Sequence, residues 1–265
     1  MDTAAVLAAA DRLFAARIER KPVEMLLEYC KPQDEDEAYV IQSTVHKQLT
    51  EAGMGTLAGY KLGCTNPGAQ EMFGSPTPVY GAVFSPNIFE GRAEFGLGDF
   101  EKAGAECEIV VRFGADVPAD GAPYDRESIG EYVDAVMTGL EVVNNRYGDM
   151  PGMGAPMLIA DDFAQFAVVL GWPYTDWRSL DLAALMGRMT IDGTEVGTGT
   201  GAAVVGHPLN AAAWLANALV TRGQPPKAGQ FVFTGAVLPP QWIDKGPTEV
   251  TVGFETLGEV TAVYR

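Results

Sequence analysis

Within GAECEIVVRF at 104–113, Glu106 and Glu108 stand two residues apart with one cysteine between them. The apolar alternation is that of a strand, whose successive side chains point to opposite faces. The two carboxylates therefore share one face, while Ala105, Cys107, Ile109, Val111 and Phe113 form an apolar opposite face. Two anions roughly 7 Å apart along a strand repel, so they need solvent, a basic partner or a cation. Glu141 offers a third carboxylate, at the junction where a helix ending near Leu140 gives way to the apolar strand EVV. Glu106, Glu108 and Glu141 together make an all-oxygen set suited to a hard cation such as Mg2+ or Mn2+, which keeps positions open for water or a chelating substrate. The same spacing also fits the solvated side of an amphipathic strand. Lys61, in GYKLG, reads either as a surface lysine or, with Gly59 and Gly63 flanking it, as part of a segment of close backbone approach.

Composition limits the classes of partner. At 265 residues the chain can bury a full core, as one large domain or one domain with a small extension. Hydrophobic residues make up 47% and charged residues 20%, as in ordinary globular proteins, and the apolar runs are too short to span a bilayer. Lys and Arg number 18 against 35 Asp and Glu, a net charge of −17. Such a surface has no basic cluster with which to bind nucleic acid or an anionic membrane. Cys30, Cys64 and Cys107 are odd in number and form no CxxC pair, so reduced thiols are expected in place of a disulfide frame or zinc site. His46 and His207 alone cannot build a histidine-rich metal site. The opening MDTAAVLAAADRLFAARIER carries charges among its alanines and reads as an amphipathic helix, not a signal peptide; a cytoplasmic location is expected.

The elements that must position the acids follow from periodicity. Residues 3–20 and 34–51 carry apolar stripes at helical spacing and predict a helical N-terminal part, residues 1–55. From 56 to 265 short β-rich pieces dominate: GYKLGCT, PVYGAVF, AECEIVVRF, EVVNNRY, FAVVLGW, GRMTIDG, QFVFTGAV and EVTVGFETLGEVTAVYR. One helix is predicted from Asp125 to about Leu140, another from Pro208 to Arg222 with Gly223 as its stop. GDMPGMGAP at 148–156 is expected to be a surface loop. GTEVGTGTG at 193–201 lacks the lysine of a phosphate loop and the spacing of a dinucleotide fingerprint. Strands that do not alternate regularly with helices predict an α+β mixed sheet or rolled barrel.

In order along the chain, GYKLGCT (59–65), the E-x-E of AECEIV, LEVVNNRYGD (140–149), IADDF (159–163), GHPLNAAAWLA (206–216) and FTGA (233–236) resemble the 2-keto-4-pentenoate hydratase and 2-oxo-3-hexenedioate decarboxylase branch of the fumarylacetoacetate hydrolase superfamily. The resemblance implies that family's mixed-sheet roll, with Glu106, Glu108 and Glu141 as ligands of Mg2+ or Mn2+ and Lys61 as acid/base. It implies addition of water to a 2-hydroxy-2,4-dienoate, giving a 4-hydroxy-2-oxo acid in aromatic meta-cleavage catabolism, by a homo-oligomer. Decarboxylation of a 2-oxo-enedioate is the alternative, and a silent metal-binding scaffold a third. The chain departs from the pattern where Val79 replaces an acidic residue, and where Asp161, Asp162, Phe163 and Ala164 replace D-N-A-S; Asn145 stands where serine is common, while Arg146 and Asp149 match.

The resemblance implies that Val79 and Asp162 face the substrate, and Thr234 and Gly235, at the end of the apolar strand QFVF, are expected to line the same pocket. Arg146 is expected either to hold a substrate carboxylate or to pair with Asp149. Lys61, desolvated beside a metal, is expected to have a lowered pKa. His207, just before Pro208, is expected to cap a helix, and with His46 on an N-terminal helix no histidine–glutamate dyad for carbon–carbon hydrolysis is expected.

Overall fold

The computed structural model describes residues 1–265. Both expected N-terminal helices form: α1 (Thr3–Ile18) is capped by the Asp2 side chain and α2 (Glu35–Glu51) by Asp34. Ala9, Ala10 and Leu13 of α1 and Ala38, Ile41 and Val45 of α2 join the main hydrophobic core. The chain continues through β1 (Leu57–Gly63), α3 (Pro67–Phe73), β2 (Val79–Phe84), β3 (Ile88–Glu90), β4 (Arg92–Phe95) and β5 (Ala103–Phe113). The short helix α3 was not legible from periodicity; Asn66 caps it and Gly74, with φ of 71°, ends it.

Asp125 does cap a helix, α4 (Arg126–Gly130), with a capping box to Ser128, but that helix stops after 5 residues. The expected continuation to Leu140 is instead β6 (Val133–Asn144). Val133, Val136, Met137 and Leu140 fit a helical stripe only because the strand is buried on both faces, with Asp134 its one exposed residue, and continuous burial erases the strand's period. Glu141 consequently lies inside a strand, not at a helix–strand junction.

The predicted loop at 148–156 contains α5 (Met150–Met153), capped by Asp149, and the start of α6 (Ala155–Ala160). After β7 (Gln165–Leu170) and β8 (Met186–Ile191), the glycine-rich GTEVGTGTG forms the edge strand β9 (Thr194–Thr200). Helix α7 (Pro208–Thr221) starts and ends as expected. With the preceding turn it gives a stretch, Gly201–Thr221, long and apolar enough for a bilayer span, where no such run was expected. Its Leu215, Ala216 and Leu219 are core residues packed beside the sheet, which accounts for the hydropathy. The chain ends with β10 (Phe231–Ala236), β11 (Gln241–Ile243), β12 (Thr248–Phe254) and β13 (Gly258–Tyr264).

The larger sheet runs β2-β1-β10-β5-β6-β7-β3 with β11 on the end of β5, and the second runs β4-β13-β12-β8-β9. β1 pairs parallel with β10 and β3 with β7 in the larger sheet, and β4 with β13 in the second; all other pairs are antiparallel. The larger sheet curls, because β3 follows β2 directly yet pairs with β7 at the far edge. One apolar cluster, Val83, Val110, Met137, Val168, Phe231 and Phe233, draws on β2, β5, β6, β7 and β10 and fills the inside of the curl. The other face of this sheet packs on the second sheet through the main core, where Cys107, Ile109 and Leu140 join Val252 and Tyr264. This is the expected α+β roll, with strands buried on both faces.

Candidate active site

Register places the chemistry. β5 and β6 are antiparallel with Glu106 opposite Glu141, so three carboxylates meet on the inner face at one end of the curl. Candidate ligand oxygens of Glu106, Glu108 and Glu141 all lie within 4.8 Å of one another. Lys61 enters from β1, aligned with Phe233 of β10 on the same face, and its Nζ stands 3.2 Å from Glu141 Oε1. That contact lacks the alignment of a hydrogen bond; the ammonium donates instead to the Phe163 carbonyl at 3.1 Å. The close approach expected at the flanking glycines is made by rings, Phe231 against Gly59 and Phe163 against Gly63.

Glu108 and Glu141 are fully buried, and Glu108 Oε1 and both Glu141 oxygens have no hydrogen-bond partner. Buried carboxylates short of donors are costly, a cost that a cation held among them would offset. The remaining Glu108 oxygen, Oε2, accepts the Gly235 backbone N–H at 2.6 Å. Only glycine serves there, because φ is +119° and a Cβ would lie 2.2 Å from Thr65 Oγ1. Burial, then Glu141 and Glu106, push the Glu108 carboxyl well above its ordinary range. Burial also raises Glu141, to about 7, against the opposing pull of Lys61. For Lys61, burial disfavours the ammonium but Glu141, Glu106 and Glu108 outweigh it, so its pKa is raised, opposite to the lowering expected beside a metal. Without a cation to neutralise the acids, the lysine is their counter-ion.

Lys61 and Glu106 open onto a cavity of about 720 Å³. Its far wall is apolar, built from Met72, Phe73, Met150, Leu238 and Trp242, and Lys61 is the one cationic residue on the lining. Cys64 also faces it, but burial pushes that thiol up to about 11 and leaves it protonated and inert near neutrality.

The other expected pocket residues lie elsewhere. Val79 is fully buried beside Gly63 and does not reach the cavity. Thr234 spends its hydroxyl on the Ile109 carbonyl at 2.7 Å. Gly235 acts through its backbone on Glu108. Asp162 is buried and bound to Arg17, His46 and the Ala82 N–H. Arg146 pairs with Asp161, not with Asp149 and not with anything in the cavity. Substitution relative to the family pattern identified these positions as different, but not where their side chains point. His207 caps α7 as expected, its Nδ1 accepting the Leu209 N–H at 3.0 Å. His46 does pair with a carboxylate, Asp162 at 2.8 Å, but neither residue lines the cavity, so no hydrolytic dyad is formed.

The profile of the Fumarylacetoacetate (FAA) hydrolase C-terminal family matches residues 66–264. The chain belongs to the fumarylacetoacetate hydrolase family. Similar members of this family include a 2-keto-4-pentenoate hydratase of Paraburkholderia phymatum, 33% identical over 255 residues, covering 96% of this chain and 95% of the relative. A 4-oxalocrotonate decarboxylase of Pseudomonas putida is 29% identical over 265 residues, covering 98% and 96%. Among solved structures, 4-oxalocrotonate decarboxylase from Pseudomonas putida G7, complexed with magnesium and adipate, matches with a TM-score of 0.90 at 26% identity, covering 100% of this chain and 99% of that one. This fumarylacetoacetate hydrolase family enzyme thus falls in the meta-cleavage branch that contains both hydratases and decarboxylases.

Proposed function

We propose that the enzyme is a hydratase that adds water to a 2-hydroxy-2,4-dienoate, with Glu106, Glu108 and Glu141 holding Mg2+ or Mn2+. The observation that carries this reading is the buried lysine 3.2 Å from Glu141, in a cluster of partly orphaned carboxylates on the lining of a largely apolar cavity. When bound, the ion supplies Lewis-acid stabilisation of negative charge on the substrate's 2-oxygen.

The chain supplies the rest. Lys61 Nζ, held by the Phe163 carbonyl, is the one charged donor facing the cavity, placed to deliver a proton to the far end of the conjugated system and to accept one from the incoming water. The Gly235 N–H fixes Glu108 so that its free oxygen stays turned toward the other two acids. Met72, Phe73, Leu238 and Trp242 offer the apolar part of the substrate an apolar lining. The absence of a second cation on the lining favours a monocarboxylate over an enedioate, because a second carboxylate there would meet no counter-charge on the lining.

Decarboxylation has support of its own in the similarity to a decarboxylase solved with a dicarboxylate. Lys102, its ammonium 4.9 Å from the centre of the Trp242 ring, is a cation just outside the lining. Parallel assays decide. Mg2+-dependent loss of 2-hydroxypenta-2,4-dienoate to 4-hydroxy-2-oxopentanoate supports the hydratase, whereas CO2 release from 2-oxohex-3-enedioate with no hydration overturns it. Any such turnover also eliminates the silent scaffold. A homo-oligomeric, cytoplasmic enzyme completes the reading: Trp172 and Tyr29 are exposed apolar contact candidates, and all three cysteines are free thiols.

A further inference from the structure

Asp162, Phe163 and Ala164 are three successive residues other than glycine with left-handed backbone, at φ of 57°, 52° and 65°. Such backbone is strained for a residue with a Cβ, so the run persists only where its surroundings impose it. Here the turn is pressed onto the β1–β2 pair. The Asp162 carbonyl lies where a Cβ on Gly81 would come within 2.6 Å, and Gly81 is the register partner of Lys61.

What holds the turn is a buried charge cluster reaching in from the N-terminal helices. Arg17 of α1 donates to Asp162 at 2.7 Å and to Asp161 at 2.8 Å, bridging the two adjacent carboxylates. His46 of α2 bonds Asp162 at 2.8 Å, and the Ala82 N–H donates to the same oxygen. Arg146 and the Tyr147 hydroxyl complete Asp161. The product of this clamp is the Phe163 carbonyl, aimed at Lys61 Nζ, with the Phe163 ring 5.3 Å from the same ammonium.

We propose that Arg17 and His46 are positioning residues for Lys61: through Asp162 they fix the left-handed turn whose Phe163 carbonyl competes with Glu141 for the ammonium and keeps it facing the cavity. This rests on the reading of Lys61 as the acid/base. If the turn relaxes, the ammonium loses its one aligned acceptor and its existing 3.2 Å contact with Glu141 tightens into full pairing with the carboxylates. Two losses follow together, of proton delivery and of cation affinity, because the lysine then competes for the carboxylates.

The test uses the full-length protein and four variants: Arg17→Met, His46→Phe, Lys61→Met and the double variant Arg17→Met/Lys61→Met. Turnover of 2-hydroxypenta-2,4-dienoate at saturating Mg2+ gives kcat and KM; calorimetry with Mg2+ alone gives Kd. Arg17→Met is expected to lower kcat about 10- to 100-fold with KM within about two-fold, and to raise the Mg2+ Kd about five-fold. In the Lys61→Met background the same substitution is expected to change the Mg2+ Kd less than about two-fold, since the competing ammonium is gone. A role confined to folding would weaken Mg2+ binding equally in both backgrounds, and that result overturns the proposal. So does wild-type kcat in both Arg17→Met and His46→Phe while Lys61→Met is dead, an outcome that leaves the acid/base reading intact. Turnover retained in Lys61→Met removes that reading itself, and the positioning role with it. Should Arg17→Met fail to fold, His46→Phe, at a partly exposed position, carries the same test with an expected kcat loss of about three- to ten-fold.

Discussion

Replacing Glu108 with Gln should move stability in opposite directions with and without Mg2+. In the metal-free protein, Glu108 lies within 4.8 Å of two other carboxylates. At an effective dielectric near 20, each fully charged pair at that distance repels by roughly 3 kcal/mol. The protein partly escapes this by raising the carboxyl pKa values, Glu141 to about 7 and Glu108 well upward. Glutamine keeps the shape, and its amide oxygen can still accept the Gly235 N–H, but one buried anion and two repulsions disappear. In EDTA at pH 8 the variant should therefore equal or exceed the wild type by about 1–3 kcal/mol, a Tm rise of several degrees.

With Mg2+ at about 100 times its Kd the wild type should gain about 2.7 kcal/mol, while the variant, short of one anionic ligand, should gain little. The order of the two melting curves inverts on adding Mg2+, and metal-dependent turnover falls at least about 100-fold. Thermal denaturation with and without EDTA reads this directly. A variant that is less stable than the wild type in EDTA, or that keeps the full Mg2+ stabilisation, refutes the cation-site argument, since repulsion relieved by a metal is its whole basis.

Gly235→Ala should destabilise by about 2–4 kcal/mol and cut turnover, because the backbone at φ +119° is closed to alanine and its Cβ would meet Thr65; a variant with unchanged urea midpoint and rate contradicts this. Met72→Arg places a cation on the apolar wall at an exposed helix position and should shift kcat/KM toward an enedioate relative to a monocarboxylate by about ten-fold; an unchanged ratio shows that this wall does not select the substrate end. Asp162→Asn should cost about 3 kcal/mol or more near neutrality. Burial alone would raise the Asp162 pKa, but His46 and Arg17 outweigh it and hold it below the usual carboxylate range. A depressed folded pKa contributes stability above the unfolded value of about 3.9 and loses it as pH falls through the folded one. The gap between wild type and variant, followed by denaturant titration, should thus hold at neutral pH and close only below about pH 4; a gap that closes near pH 6 shows that Asp162 is not the group responsible.

The carboxylate platform was legible because its geometry is set by strand period and pairing, both local. Glu106 and Glu108 alternate with a core face, and Cys107 is buried as that alternation requires. The sheet roll followed from many short β pieces without regular helices. What failed was β6, where burial on both faces mimics a helical stripe, and with it the account of how Glu141 reaches the site. The polar residues near the site also misled. Asp162 and Arg146 have the chemistry of substrate contacts, but their partners Arg17, His46 and Asp161 lie as many as 145 residues away in sequence, and no spacing rule encodes such pairing. The sign of the Lys61 shift depended in the same way on which charges surround it, a tertiary fact.

The segment that matches the family profile begins at residue 66 and contains all three glutamates and Gly235. Lys61, Arg17 and His46 precede it. The site is therefore assembled from two stretches of chain: the later one presents the carboxylates on adjacent strands, and the earlier one presents the lysine and the side chains that hold its supporting turn. These halves constrain each other physically, since the lysine already contacts Glu141 at 3.2 Å and its bond to the Phe163 carbonyl competes with full pairing to the carboxylates. In the proposed reading, the left-handed turn at 162–164 sets the balance between those two contacts of one ammonium. It is held from α1 and α2 by Arg17 and His46, outside the matched segment, so on that reading the helical N-terminal part acts on a platform it does not touch.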